Sequence, residues 1–266
     1  RPVRIGNGAW SQRQLDVYGE VLGAAHQLRS YLGSLDGATK RFLRRVADAA
    51  AENWTSTDQG IWEVRGEPQH FVYSKLMCWV ALDRAIELAP MIDGEGRIEA
   101  WTVSREEIRR AILRDGWSAD AGAFTQSFGS PHLDASSLVM PIVGFLPADD
   151  PRMLATIHAI EERLTDERGL VRRYRSGDTD DGLEGDEGSF LLCTFWLAEA
   201  LALTGEIARA RVVFERAASY ANDVGLLSEE VDGSTGEMLG NFPQAFSHIG
   251  LINAAWAIAQ AELRHG

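Results

Sequence analysis

Apolar residues recur along most of this chain at intervals of three and four, the spacing that gathers them on one side of a helix. Leu15, Tyr18, Leu22, Ala25, Leu28 and Leu32 predict a first helix over about 14–32, stopped by Gly33-Ser34. Phe42, Leu43, Val46, Ala49 and Ala50 predict a second over about 39–54. A strongly apolar third helix spans about 71–89 and is closed by Pro90. A fourth, over about 101–113, takes Ser104 as N-cap, with Glu107 in the matching capping-box position. A short apolar helix follows over about 135–143, and others are predicted at 153–164, 189–203, 207–221 and 244–263. No stretch alternates long enough to predict a strand.

The pattern therefore predicts an all-α domain of about nine helices, with residues 1–266 as one unit. Several helices, 191–203 above all, are apolar on more than one face, which suits inner helices covered by outer ones. Three long loops, 55–70, 116–134 and 222–243, hold the unusual Gly, Asp, Trp and Phe content. Long loops in a compact domain are commonly functional. There is no internal repeat, low-complexity tract or obvious linker.

Composition narrows the picture. At 266 residues and 45% apolar content the chain can bury a sizeable core. A formal net charge of −13 argues against nucleic acid and anionic membranes as partners. No apolar run is long enough to cross a bilayer, and no apolar signal block stands at the start, so a cytoplasmic protein is expected. Arg1 is not an initiator Met, so residues are expected ahead of it. Cys78 and Cys193 sit within apolar helical patterns and read as buried thiols, not a disulfide.

The chemistry concentrates in two loops. Asp58-Gln59-Gly60-Ile61-Trp62-Glu63-Val64-Arg65-Gly66 puts a carboxylate beside an indole inside a glycine-bracketed turn. Trp62 offers a sugar-sized apolar wall, and desolvation by that wall suits Glu63 to donate a proton. The loop from Asn222 to His248 supplies a second candidate in the pair Glu229 and Glu230. Two carboxylates, one giving a proton to a glycosidic oxygen and one taking a proton from water, are what an inverting sugar hydrolase needs. No metal-ligand spacing or cofactor motif is present, and His132 and His248 read as structural.

The segments QLDVYGEV, GIWEVRG, HFVYSKLMCWVALDRA, LDASSLVMPIVGFLPADDPR, RRYRSGDTDDGLEGDEGSFLLCTFWL and NDVGLLSEEVDGSTGEMLGNFPQAFSHIGLINAA resemble glycoside hydrolase family 15. That family comprises glucoamylases, glucodextranases and bacterial trehalases, and the likeness covers nearly the whole chain in order. The resemblance implies an (α/α)6 barrel, or toroid, incomplete here because the family's N-terminal part is missing. It implies exo-acting, inverting hydrolysis of α-glucosidic bonds in malto- or isomalto-oligosaccharides or trehalose, without a cofactor. It places the general acid at Glu63 and the general base at Glu229, with Glu230 as the other candidate. It also puts Trp62, Arg65, Glu230 and the pair Arg173-Tyr174 near the sugar subsites, where a forked guanidinium suits vicinal hydroxyls.

Two positions depart from the fungal glucoamylases. Val64 stands where they carry a second Glu, and Gly240 where they carry a serine that hydrogen-bonds the base. Another group must orient Glu229, or none does. Arg173 could instead pair with Asp178, Asp180 or Asp181, and the acidic stretch 178–187 reads as a solvated face rather than a calcium loop. Two other functions compete. One is a catalytically incomplete sugar-binding or scaffold fragment; the other is a disaccharide phosphorylase, which a Glu at the base position disfavours. The expected partner is a small oligosaccharide or disaccharide; the oligomeric state is open.

Overall fold

The computed structural model of the chain describes residues 8–175, 177 and 188–265. Helix α1, Val17–Gln27, starts where the Asp16 carboxylate accepts from Val17 N–H. The expected start near residue 14 moves inward because Leu15 N–H is drawn to the Asp58 carboxylate instead. Helix α2, Gly37–Asn53, is capped by Asp36, which accepts from the N–H groups of Ala38 and Thr39. Helix α3 is Val72–Leu88 and helix α4 is Ile98–Asp115.

Ser104 is not a cap; it lies within α4. A 3-10 turn, Glu95–Arg97, runs straight into Ile98. Trp101, buried and donating its indole N–H to Asp48 Oδ1 at 3.0 Å, holds that earlier turn in helical register. Packing overrides the local capping signal here.

Short strands and helices make up the remainder. Strands β1, Trp117–Ser118, and β2, Ala123–Phe124, precede a 3-10 turn, Ala135–Leu138, which leads into α5, Val139–Ile142. Helix α6, Pro151–Leu164, follows an Asp150 cap. Strand β3, Ser189–Phe190, feeds α7, Leu191–Leu203, and then α8, Ile207–Ala218. Strands β4, Glu230–Val231, and β5, Met238–Leu239, precede α9, Ala245–His265. The expectation of no strand misses these pairings because a two-residue strand leaves no alternation to read. β4 lies between β3 and β5, both antiparallel, pairing Phe190 with Glu230 and Glu230 with Leu239.

The described residues fall into two compact units, the first built by the chain up to Trp117 with Ser127–Ser130, the second by Ser118–Gln126 and most of the chain from Pro131 onward. In the first, every residue of α3 from Val72 to Leu82 is buried, with α1, α2 and α4 packed around it. Gly19 lets α1 come close, since a Cβ there would lie 2.4 Å from the Met77 carbonyl oxygen. Lys75 is wholly buried on α3, its ammonium donating to the Ser56 carbonyl. Cys78 is buried and free, and burial pushes its thiol up to about 12.

In the second unit, α7 takes the same central place, covered by α5, α8 and α9. Gly250 of α9 abuts Leu192 and Phe195, where a Cβ would stand 2.9 Å from the Leu192 side chain. Cys193 on α7 is also buried and free. The opposite face of α9 leaves Phe246, Ile249, Ile252 and Trp256 exposed.

Glu199 is the one acidic residue of α7, and loss of water pushes its carboxyl up to about 7 from 4.5. The folded chain thus holds this proton to higher pH than the unfolded chain does. The stability linked to the proton is complete below about pH 4.5 and is lost as pH rises through 7. Glu199→Gln is expected to raise the thermal midpoint at pH 8, by on the order of 2 kcal/mol of stability, and to change it little at pH 4. Calorimetry at the two pH values checks this.

Candidate active site

In the first unit the candidates sit on one tight turn. Glu63 N–H donates to the Gly60 carbonyl at 3.2 Å, and Val64 N–H to the Gln59 carbonyl at 3.1 Å. Gly60 has φ +69°, and any Cβ there would strike the Phe71 ring at 2.9 Å, so this turn requires glycine. Glu63 has φ +55°, a left-handed conformation that costs a non-glycine residue about 1–2 kcal/mol. Strain of this kind persists where surrounding contacts over-determine it, and it clusters at functional sites.

Those contacts are visible. The Gln12 amide donates to the carbonyls of Glu63 at 3.2 Å and Val64 at 3.1 Å, while the Val64 side chain is buried. The Gln14 amide reaches Glu63 Oε1 at 3.4 Å. Asp58, fully buried, ties the turn to its neighbours by accepting from Leu15 N–H at 3.0 Å and from the Ser74 hydroxyl at 2.7 Å. Residue 64 is valine because it points into the core, where a second glutamate would be stranded without water. Trp62 is partly buried beside Glu63, while Arg65 is exposed and lies against Gly8.

In the second unit, Glu229 and Glu230 part company. Glu230 lies on β4, where its carboxylate is 3.5 Å from the Arg173 guanidinium and both side chains are largely buried. That guanidinium also stands over the rings of Tyr174 and Phe190, at 5.5 and 5.7 Å. Arg173, Tyr174 and Glu230 thus form one cluster; Asp178, Asp180 and Asp181, the other partners considered for Arg173, lie outside the described residues.

Glu229, one residue earlier, is held elsewhere. Its Oε2 accepts from Asn241 N–H at 2.8 Å and from the Asn241 side-chain amide at 3.0 Å. Its Oε1 has no hydrogen-bond partner among the described residues. Both of the Oε2 donors belong to Asn241. Sequence reading missed Asn241, Gln12, Gln14 and Asp58 as contributors, although Asn241 and Gln14 both lie in the segments that carry the family likeness. Loop 226–231 is itself pinned beneath α9, where the Ser247 hydroxyl donates to Ser228 O at 2.7 Å and His248 Nε2 accepts from Leu227 N–H. His248 is thereby tied to the backbone of this loop. No group of three or more His, Cys, Asp or Glu residues arranged to hold a metal occurs among the described residues.

The family model for glycosyl hydrolases family 15 matches residues 1–256. The chain belongs to glycosyl hydrolase family 15. A trehalase of Mycolicibacterium smegmatis is 47% identical over 98% of this chain and 39% of its own length. A trehalase of Thermoplasma volcanium is 42% identical over 99% of this chain and 42% of its own length. The chain therefore spans about two-fifths of the length of these curated relatives. A bacterial glucoamylase solved with acarbose superposes at a TM-score of 0.79 and 15% identity, covering 95% of this chain and 42% of the other. At that identity the likeness speaks for the fold, and the fold is the all-α one of the family 15 glucoamylases, as the sequence resemblance implies.

Proposed function

We propose that this family 15 protein hydrolyses an α-glucosidic bond with inversion, with α,α-trehalose as its substrate. Glu63 is the general acid and Glu229 the general base. The observation that carries the reading is the division of labour between neighbouring carboxylates. Glu230 is neutralised by Arg173, whereas Glu229 is gripped through one oxygen and keeps the other available. A base needs that second arrangement, because it must be ionised, fixed in direction and able to accept a proton.

In the reaction, the Glu63 carboxyl proton passes to the glycosidic oxygen as the bond from that oxygen to C1 breaks. Glu229 takes a proton from a water molecule whose oxygen bonds C1 on the opposite face of the ring. Glu63 is left ionised and Glu229 protonated. Trp62 and Arg65 beside the acid, and Arg173 with Tyr174 beside the base, are proposed to line the sugar subsites. The choice of trehalose rests on the two relatives named trehalases. We place the protein in the cytoplasm on its two buried free thiols.

Trehalose hydrolysed with inversion yields one α-glucose and one β-glucose per bond. Proton NMR of the first turnovers of the full-length protein is expected to show the two anomers in equal amount. Two α-anomers would mean retention and would remove Glu229 from the role of base.

A further inference from the structure

We infer that Asn241 is the positioning residue of Glu229, delivered to it by a single-residue bulge at Gly240; this rests on the reading of Glu229 as the base. The antiparallel ladder pairs Val231 with Met238 and Glu230 with Leu239, so the next rung should set Glu229 opposite Gly240. It does not. Glu229 N–H donates to the Asn241 carbonyl at 3.0 Å, one residue further along. Gly240 is therefore an extra residue in the β5 strand line, and its φ of +74° is the left-handed conformation that a glycine bulge uses.

The slip has a chemical consequence. Bulges twist a strand and re-aim the side chain that follows. Here the following residue is Asn241, whose N–H and side-chain amide converge on the same carboxylate oxygen, Oε2. Backbone and side chain of residue 241 thus close a reciprocal pair with residue 229: one bond given to a carbonyl, two received by a carboxylate. Two donors on Oε2 fix the carboxylate plane, while Oε1 stays open for the proton of the attacking water. The neighbouring charged groups on this sheet, Glu230 and Arg173, are engaged with each other.

Asn241→Ala deletes the side-chain donor and keeps the backbone one. In the full-length protein, kcat on trehalose is expected to fall roughly 10- to 100-fold, the loss of one hydrogen bond to a charged group, with KM changed less than about threefold. Asn241→Asp, nearly isosteric, sets a carboxylate where the amide was, and is expected to lower kcat further, again with KM changed less than about threefold. A purely structural role would lower the thermal midpoint without splitting kcat from KM.

If Asn241→Ala and Asn241→Asp both keep kcat within twofold of the parent, the inference is overturned. Should Asn241→Ala fail to fold, the kcat and KM of Asn241→Asp decide alone. Glu229→Gln separates this inference from the reading beneath it. Loss of activity in Glu229→Gln beside an indifferent Asn241→Ala sinks only the role of Asn241. Full activity in Glu229→Gln sinks both.

Discussion

Glu229→Gln is expected to lower kcat for trehalose by roughly a thousandfold while leaving the fold intact, and Glu63→Gln to do the same. Each swap keeps the side-chain shape and removes one proton function. At position 229 the amide can still accept from the Asn241 donors through its oxygen, so the grip on that oxygen survives. What is lost is the negative charge and the ability to take a proton from water. At position 63 the left-handed turn is held by backbone bonds and by Gln12, none of which needs a carboxylate.

The two variants are told apart by leaving group. Fluoride departs from α-glucosyl fluoride without needing a full proton, so Glu63→Gln is expected to recover most of its activity on that substrate. Glu229→Gln is not, because water still has to be activated. Steady-state kinetics on trehalose and on α-glucosyl fluoride, with circular dichroism to confirm folding, give the comparison. Recovery in Glu229→Gln but not in Glu63→Gln would mean that acid and base have been assigned the wrong way round.

Gly240→Ala is expected to cost about a hundredfold in kcat, and to lower the thermal midpoint by several degrees. Two effects add. An alanine at φ +74° pays about 1–2 kcal/mol for its conformation. Its Cβ would also lie 2.5 Å from Glu229 Oε2 and 2.9 Å from Glu229 Cβ. Rotation of the carboxylate could relieve the first contact, but the second is at the root of the side chain, so the whole of Glu229 must shift away from Asn241. Chemistry that depends on a fixed carboxylate is sensitive to a displacement of about 1 Å. Activity and melting measurements on Gly240→Ala check this, and an active, stable variant would show that the contact yields freely. The same geometry accounts for the departure from the fungal serine: here the space a hydroxymethyl group would take is filled by the Glu229 side chain.

Most helices were legible because their apolar positions recur with helical spacing, and burying those positions is what stabilises them. The central helices α3 and α7 stood out as apolar on all faces, and both are enclosed. The misplaced start of α4 marks where that reading stops. Ser104 and Glu107 fit a capping box locally, yet a buried Trp101 one turn earlier outweighs a cap's contribution of about 1 kcal/mol. The short strands were invisible for a related reason. At two residues each they carry no alternation, and β3 meets β4 across forty positions, Phe190 opposite Glu230.

By itself the sequence determined the helical class, the family likeness and the two carboxylate loops, because helical periodicity and motif order are local properties of the chain. It left Glu229 and Glu230 as rivals, since adjacent residues of one chemistry carry no sign of direction. Tertiary structure decided between their surroundings. The pleat of β4 turns Glu230 to Arg173, and the slip at Gly240 brings Asn241 onto Glu229. Direction is set by which strand pairs with which and in what register, and that follows from packing the whole unit.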